Sequence, residues 1–351
     1  MSVMKIFNHK INSKAKPFII AEAGINHNGS IKKALKMVEL AKASNVDAIK
    51  FQTYNSDEFI SDKKKIFKYK LRTKFVSEPM YNIFKRCEFS EKNWKKIKRK
   101  CDKEKIIFLS TPSDFKDLRL ILKLKVPAIK IGSDDFTNIP LIKMAKKSKL
   151  PLILSSGMST LKEIETTLKY SGALNGYPVI LMLCVSRYPT PPEDVNIKRL
   201  NYLKSKYPKI TLGFSDHTEG FTAASLAVAY GATFFEKHFT LNKLDSGPDH
   251  WFSEDKKSLG KWVQTIKDSF TMLGKSKNFP IESEKKMRLL ARKSIVASKG
   301  INKGEIINSD NVCFKRPGTG LPPIKYMQIL GLKSKIFIRK NRQIELNLLK
   351  K

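Results

Sequence analysis

FIIAEAG (18–24) and VDAIKFQT (46–53) decide the fold, because each is a short run dominated by Ile, Val, Phe and Ala. Six further runs of this kind follow: KIIFLST (105–111), AIKIGS (128–133), LPLILSSG (150–157), PVILMLC (178–184), KITLGFSD (209–216) and ATFFEKHF (232–239). Short apolar runs without strict alternation are typical of parallel strands that are buried on both faces. The sequence therefore predicts eight parallel strands.

Amphipathic stretches alternate with these runs. The predicted helices span 30–44, 90–104, 114–124, 138–148, 160–171, 196–206, 219–230 and 254–273. Several have a candidate N-cap, namely Ser30, Ser90, Ser113 and Ser159. Eight strand–helix units within roughly 255 residues predict an α/β fold of the (β/α)₈ TIM-barrel type. A doubly wound open sheet is the alternative, and the count of eight strands favours closure.

The segments outside this repeat define the domain boundaries. We expect residues 1–274 to form the barrel, with an N-terminal hairpin that turns at INSKAKP (11–17) and plugs the barrel floor. Segment 54–89 is longer than an ordinary βα loop, and such loops are often functional. A polar linker is expected over 275–289, followed by a small β-rich domain over 290–351.

The chain carries 68 basic and 32 acidic side chains, a formal net charge of +36. The lysines are spread over the predicted helices at solvent-facing spacing, and no nucleic-acid-binding motif accompanies them, so nucleic acid is not an expected partner. No apolar run reaches the ~20 residues that span a bilayer, and the N-terminus lacks a secretory signal. We therefore expect a cytoplasmic protein. Its four cysteines form no CxxC pair and are expected to be reduced thiols.

Two lysines, Lys50 and Lys130, lie inside otherwise apolar strands. A buried lysine needs a partner, so a structural ion pair with Glu22 or Glu236 is one interpretation. In a barrel of this kind, however, catalytic groups lie at the carboxyl ends of the strands, where several Ser and Thr residues also fall. Two ammonium groups among hydroxyls suit a small phosphorylated carboxylate, and we favour an anion site.

Histidines end two neighbouring predicted strands, at His217 and His238. Two imidazoles that converge there can hold one divalent metal with open positions for substrate. Two ordinary polar histidines are an equally good interpretation from spacing alone. Asp249 and His250 follow the last strand, where they can bind substrate or cap a turn.

Eight motifs occur in order at or near the strand ends: AEAGINHNG (21–29), KFQT (50–53), LSTP (109–112), KIGS (130–133), LSSGM (154–158), YPTPPEDVN (188–196), GFSDHT (213–218) and EKHFT (236–240). Together they resemble the N-acetylneuraminate synthase family of sialic-acid synthases, which includes legionaminic and pseudaminic acid synthases. KGEIINSDNVCFKRPGTG (303–320) is similar to the antifreeze-protein-like SAF domain, a β-clip fold that follows the barrel in that family. The resemblance covers nearly the whole chain.

This resemblance implies a PEP-dependent transferase that condenses phosphoenolpyruvate with an N-acylated hexosamine aldehyde and water, and releases phosphate by C–O cleavage. The acceptor is N-acetylmannosamine or a 2,4-diacetamido-trideoxyhexose. The implied metal is Mn²⁺ or Mg²⁺, held by His217 and His238. The implied catalytic residues are Asp135, Glu22, Lys50 and Lys130. The residues implied for phosphoenolpyruvate are Lys50, Thr111, Lys130, Ser133, Ser155, Ser186 and Ser215. Those implied for the sugar are Glu22, Gln52, Tyr188, Glu236, Asp249 and Arg316.

The resemblance also implies a homodimer with swapped C-terminal domains, in which Arg316 reaches the active site of the other subunit. The chain departs from the family pattern at Ser133-Asp134-Asp135, where a glycine commonly separates serine and acid, and at Cys184-Val185-Ser186. Two other functions stay open: another phosphoenolpyruvate-dependent aldol synthase, and a non-catalytic scaffold that binds glycan.

Overall fold

The structure is a computed structural model that describes residues 5–6, 9–10, 15–71, 74–276 and 279–351. The chain divides into two compact units, residues 1–274 and residues 275–351. Within the described residues, no helix is both long enough and apolar enough to cross a membrane.

Eight parallel strands form the centre of the first unit, as predicted. In chain order the strands of this unit are β1 (Lys5–Ile6), β2 (His9–Lys10), β3 (Phe18–Gly24), β4 (Ala48–Thr53), β5 (Ile66–Leu71), β6 (Lys74–Pro79), β7 (Ile107–Pro112), β8 (Ile129–Ile131), β9 (Leu152–Ser155), β10 (Val179–Cys184), β11 (Thr211–Asp216) and β12 (Phe234–His238). The parallel strands pair in the order β7-β4-β3-β12-β11-β10-β9-β8. The first and last of these, β7 and β8, lie against each other, which closes the sheet into a barrel.

Helices surround the barrel and connect its strands. They are α1 (Ile31–Ala43), α2 (Ser56–Phe59), α3 (Met80–Cys87), α4 (Glu91–Glu104), α5 (Phe115–Lys123), α6 (Ile139–Lys147), α7 (Leu161–Ser171), α8 (Pro192–Val195), α9 (Arg199–Lys206), α10 (Thr222–Ala229) and α11 (Lys256–Met272). The side chains of Ser30 and Ser90 cap α1 and α4 as predicted. Asp114 and Thr160, rather than Ser113 and Ser159, cap α5 and α7, because their side chains accept the N3 backbone N–H.

Ile6 is fully buried in the cluster of apolar side chains that fills the barrel floor, together with Phe18, Ile20 and Phe234. The N-terminal hairpin therefore plugs the floor as expected. Its strands differ from the prediction, because Lys5 pairs with Lys10 and Ile6 with His9, ahead of the predicted turn. Part of the predicted turn, residues 11–14, lies outside the described residues.

The long segment after β4 is folded. It contains α2, the antiparallel hairpin of β5 and β6, and α3. A separate apolar cluster attaches this segment to the barrel, and its buried members are Ile25, Tyr54, Tyr69, Ile83 and Cys87. The hairpin is therefore part of the packed structure above the carboxyl ends of the strands.

The second unit contains α12 (Glu282–Ala291), β13 (Ser294–Ala297), β14 (Val312–Lys315), α13 (Tyr326–Ile329), β15 (Lys333–Ser334) and β16 (Leu349–Lys350). Two antiparallel strand pairs enclose an isoleucine-rich core that includes Ile295, Ile301, Ile338 and Ile344. The region expected to be a linker, 275–289, includes most of α12 instead. ESEKKMRLLA (282–291) consists of strong helix formers and places two glutamates in the first turn, where they suit the helix dipole.

Candidate active site

A cavity of about 350 Å³ opens at the carboxyl ends of the barrel strands. Most of the side chains expected to bind substrate line it: Glu22, Lys50, Gln52, Thr111, Lys130, Ser133, Ser155, Ser186, Tyr188, Ser215, His217, Glu236 and His238. Because parallel strands all end at the same rim of a barrel, residues more than 200 positions apart in sequence meet here. The structure therefore brings together the lysines, hydroxyls and histidines that the sequence placed at strand ends.

Buried charges form the floor of this cavity. The Lys50 ammonium lies 2.7 Å from Glu22 Oε2 and 3.7 Å from Glu236 Oε1, and it donates a hydrogen bond of 3.1 Å to Thr111 Oγ1. The Lys130 ammonium lies 3.4 Å from Glu236 Oε1. The ion-pair and anion-site interpretations of these lysines are therefore compatible, because each lysine is ion-paired and each also lines the cavity.

These charges have unequal proton affinities. Burial raises the pKa of Glu22 to about 7, and the opposing charge of Lys50 only partly offsets this. Burial also disfavours the charged form of Glu236, but Lys130 and Lys50 outweigh it and lower the pKa of that carboxyl. Burial acts against the ammonium of Lys50 as well, yet Glu22 and Glu236 raise its pKa. Of the two carboxyls that contact Lys50, Glu22 is therefore the one whose pKa is raised, which suits a group that takes up a proton.

Several serines line the cavity, and the hydroxyls of two of them lie close to Gly157. The Oγ atoms of Ser155 and Ser186 are buried and have no hydrogen-bond partner. A Cβ added to Gly157 would lie 2.4 Å from Ser186 Oγ and 2.6 Å from Ser133 Oγ. Buried hydroxyls are normally satisfied, so these two are available to a ligand. Glycine at 157 leaves the space in which the ligand's oxygens would contact them.

We expect Gly157→Ala to raise the KM for the anionic substrate by about 10-fold or more. The new methyl group would displace the hydroxyls of Ser133 and Ser186, which donate hydrogen bonds to that substrate. The fold should remain, since the hydroxyls can rotate away. Steady-state kinetics measures the effect. Gly260→Ala is the matched control, because Gly260 lies in α11 with open space around its Cβ position. Equal KM values for the two variants would contradict the assignment.

The two histidines lie side by side, with ring centroids 5.4 Å apart. His217 Nδ1 donates to the Val185 carbonyl at 2.7 Å, which leaves Nε2 without that proton. His238 Nδ1 is buried without a hydrogen-bond partner and lies 3.8 Å from Asp249 Oδ2. Burial lowers the pKa of His238 and raises that of Asp249 to about 6. A neutral imidazole with an unused nitrogen is the form that binds a metal.

The acidic pair after β8 differs from the expectation. Asp134, not Asp135, lines the cavity. Asp135 accepts a hydrogen bond of 2.8 Å from Asn138 Nδ2 at the start of α6, and burial raises its pKa. The structure therefore places Asp134 where the resemblance implied Asp135. Adjacent residues after a strand point in different directions, so sequence order did not decide between them.

Cys184 is a residue that sequence reasoning did not assign to the site. It lines the cavity, and its Sγ lies 3.9 Å from His217 Nδ1. Burial opposes the thiolate, but His217, Ser133 and Lys130 together outweigh it and lower the pKa of Cys184 to about 7. Its position at the end of β10, next to Ser215 of β11, was the signal in the sequence that could have identified it.

Other strand-end polar residues point away from the cavity. Lys237 forms a 2.9 Å ion pair with Asp216, which also accepts hydrogen bonds from Trp262 Nε1 and from the backbone and hydroxyl of Thr218. His27 stacks on Phe89 at 4.2 Å, and His250 bonds Thr240 Oγ1 at 2.7 Å. These groups stabilise the fold around the cavity. Arg316 is exposed and belongs to the second unit.

A parallel barrel whose strand-end cavity is lined by buried lysines, unpaired serine hydroxyls and two adjacent imidazoles has the organisation of a catalytic domain. The NeuB family model matches residues 37–278, and the SAF domain model matches residues 292–350. The chain therefore belongs to the NeuB family, which confirms the resemblance noted in the sequence.

Three relatives illustrate the similarity. An uncharacterized protein of Methanocaldococcus jannaschii is 41% identical over 94% of this chain and 93% of its own length. The N,N′-diacetyllegionaminic acid synthase of Legionella pneumophila is 36% identical over 92% of this chain and 94% of its own. The crystal structure of the sialic acid synthetase of Leptospira borgpetersenii in complex with citrate is 36% identical, with a TM-score of 0.73 over 81% of this chain and 94% of that one.

Proposed function

We propose that the protein is a nonulosonic acid synthase, a transferase that joins phosphoenolpyruvate to an N-acylated hexosamine aldehyde and releases phosphate. The proposal rests on one cavity that is lined by Lys50, Lys130, unpaired serine hydroxyls and the adjacent imidazoles of His217 and His238. Relatives named legionaminic, pseudaminic and N-acetylneuraminate-9-phosphate synthases, at 36%, 35% and 30% identity, support it.

The anion cleft suits phosphoenolpyruvate. Lysine ammoniums bind phosphate as point charges, and hydroxyls at Ser133, Ser155 and Ser186 add directional donors. Lys50 and Lys130 are 3% and 2% exposed, so water does not screen their charge when phosphate departs. Preorganised donors of this kind favour a transition state in which charge develops on the leaving group.

The remaining groups suit the carbon–carbon and carbon–oxygen steps. Carbon 3 of the enol forms a bond to the aldehyde carbon as the enol double bond breaks, and the aldehyde oxygen takes up a proton. A water adds at the cationic carbon 2 and loses a proton, and the tetrahedral product releases phosphate when its carbon 2–oxygen bond breaks, which leaves a ketone. Glu22 is the residue best able to accept the water's proton, because its pKa of about 7 lets it exchange a proton at neutral pH. Glu236 and Gln52 also line the cavity and would orient the sugar.

A divalent metal, Mn²⁺ or Mg²⁺, fits at His217 and His238. The unpaired Nδ1 of buried His238 and the neutral state of that ring meet the requirements of a ligand. Among the described residues no group of three or more His, Cys, Asp or Glu side chains could hold a metal ion, so the protein would supply two ligands and leave positions for substrate. When bound, the metal polarises the aldehyde as a Lewis acid.

We also propose a homodimer in which Arg316 of one chain completes the cavity of the other. Arg316 is exposed, and a guanidinium is a good ligand for a sugar-acid product. Arg316→Ala should lower kcat/KM by about 100-fold, within the range for a lost charged hydrogen bond to the transition state. Mixing Arg316→Ala with Lys130→Met chains should restore activity to a fraction of wild type. Lack of restoration in verified mixed dimers would contradict the swap.

Phosphate release tests the proposed function. Purified protein with Mn²⁺ and phosphoenolpyruvate is expected to release phosphate when an unphosphorylated amino sugar is added, and to show none with arabinose 5-phosphate. Release only with the phosphorylated pentose would move the protein to a different aldol synthase class. No release with any amino sugar would contradict the proposal.

A further inference from the structure

Two buried charged side chains, Asp216 and Lys237, lie next to the paired histidines but outside the cavity. His217 and His238 line the cavity, and Asp216 and Lys237 each precede one of them in the chain. Successive side chains of a strand point to opposite faces, so Asp216 and Lys237 face Trp262 of α11 on the outside of the barrel. They are 1% and 2% exposed and are register partners in the sheet.

The Lys237 ammonium connects the residues on both sides of His217. It lies 2.9 Å from Oδ2 of Asp216, immediately before the histidine, and it donates a hydrogen bond of 2.7 Å to the carbonyl of Thr218, immediately after it. Another hydrogen bond, of 3.3 Å, goes to the Gly220 carbonyl. An ammonium has three protons, and all three are used here. The backbone on either side of His217 is therefore bound to one side chain of β12.

Asp216 closes the turn that contains His217. Its Oδ1 accepts hydrogen bonds from the backbone N–H of Thr218 at 2.9 Å and from the Thr218 hydroxyl at 2.7 Å. Its Oδ2 accepts a hydrogen bond of 2.9 Å from Trp262 Nε1, in addition to the contact with Lys237. An aspartate that binds the N–H two residues ahead forms an Asx turn, which restricts the backbone of the residue between them. The direction of the His217 ring therefore depends on this carboxylate.

The same network reaches the backbone of His238 through Glu254. Glu254 is buried, and its Oε1 lies 3.7 Å from the Lys237 ammonium. Its backbone N–H donates a hydrogen bond of 2.8 Å to the His238 carbonyl, and its carbonyl accepts one of 2.8 Å from the N–H of Thr240. His238 is therefore bonded covalently to Lys237 and by hydrogen bond to Glu254, and these two side chains face each other.

Stability alone does not require a buried ion pair at this place. Removal of two charges from water is costly, and apolar side chains of similar volume often give an equally stable core. Charged hydrogen bonds instead restrict distance and direction. A site that takes two ligands from the protein needs such restriction, because its two imidazoles must keep one mutual geometry. Partners outside the ligand set normally provide it.

We propose, on the basis of the proposed function, that Asp216 and Lys237 are positioning residues that set the mutual geometry of His217 and His238. They act through the backbone beside each histidine and do not line the cavity. Their loss should therefore lower metal affinity more than affinity for phosphoenolpyruvate, whose proposed lysine ligands are on β4 and β8.

Calorimetric titrations of the full chain test this inference, first with Mn²⁺ and then with phosphoenolpyruvate at saturating Mn²⁺. Lys237→Met and the milder Asp216→Asn should each weaken Mn²⁺ binding by about 10-fold or more, the lower end of the effect of losing an outer partner. Affinity for phosphoenolpyruvate should stay within about threefold of wild type, as for an independent site. Asp216→Asn keeps the side-chain volume and one acceptor, so it tests the inference even if Lys237→Met does not fold.

Ile266→Ala is the matched control for lost stability. Ile266 is fully buried and lies four residues after Trp262 in α11, so its truncation should destabilise the barrel without removing any contact of the ion pair. Its Mn²⁺ affinity should stay within about threefold of wild type. Thermal unfolding followed by circular dichroism shows whether the variants lose comparable stability. An equal loss of Mn²⁺ affinity in this control, or a parallel loss of phosphoenolpyruvate affinity in the ion-pair variants, would overturn the positioning role.

The histidine variants separate this inference from the proposed function. If His238→Ala loses Mn²⁺ affinity while folded Asp216→Asn and Lys237→Met keep it, the metal site stands and the positioning role is wrong. If the wild type binds no Mn²⁺, or if His217→Ala and His238→Ala bind it as the wild type does, the proposed metal site is itself wrong and the positioning role is wrong with it.

Discussion

Lys50→Met is expected to reduce phosphate release by more than about 1,000-fold, the scale seen when a preorganised charge is removed from a transition state. The Lys50 ammonium is 3% exposed and contacts Glu22, Glu236 and Thr111 at the cavity floor. Methionine keeps most of the side-chain volume but has no charge and no donor. Assay of phosphate release under saturating substrates measures the loss in kcat.

The same substitution tests the structural contribution of the ion pair. Removal of one partner of a buried pair leaves the other uncompensated, so the free energy of unfolding should fall by about 3 kcal/mol. The double variant Lys50→Met/Glu22→Gln removes both charges and should recover part of that stability without recovering activity. Chemical denaturation measures stability separately from turnover. Recovery of activity together with stability would show that Lys50 has only a structural role.

The barrel could be predicted because its signal is repeated eight times along the chain. Each apolar run predicts one strand and each amphipathic stretch predicts one helix, independently of the others. An error at one element therefore did not change the predicted fold. The hairpin of β5 and β6 was not predicted, although IFKYKL (66–71) alternates apolar and lysine residues with period two. Its aromatic residues, such as Phe67, line a cavity of about 700 Å³ beside the catalytic one, and the sequence did not predict this cavity.

The residues of the candidate site could likewise be predicted only in part. Lys50, Lys130, His217 and His238 could be placed at one rim because parallel strands all end there. The choice between Asp134 and Asp135 could not be made, because it depends on the direction of the chain after β8, which no periodicity encodes. Cys184 was not assigned to the site because the four cysteines form no CxxC pair, and its pKa is lowered by residues far away in sequence, His217 first and then Ser133 and Lys130.

His238→Ala is expected to weaken Mn²⁺ binding by at least about 100-fold, because the loss of a ligand exceeds the 10- to 100-fold effect of losing an outer partner. His238 contributes the unpaired buried nitrogen, and His217 contributes the second ring 5.4 Å away. His217→Ala should therefore weaken binding to a similar degree. Calorimetric titration with Mn²⁺ measures affinity without reference to turnover, and circular dichroism checks that each variant is folded.

His250→Gln separates the proposed metal ligands from other buried histidines. His250 contacts Thr240 and Asn28 and does not line the catalytic cavity, so its replacement should change stability while Mn²⁺ affinity stays within about threefold of wild type. Turnover should also stop when a chelator removes the metal and return when Mn²⁺ is added. Two results would contradict the metal site: wild-type Mn²⁺ affinity in both the His217 and His238 variants, or full turnover in the presence of chelator. Either would show that the paired imidazoles serve as hydrogen-bonding groups. The aldehyde would then have to be polarised by Lys130 or by the partner's Arg316.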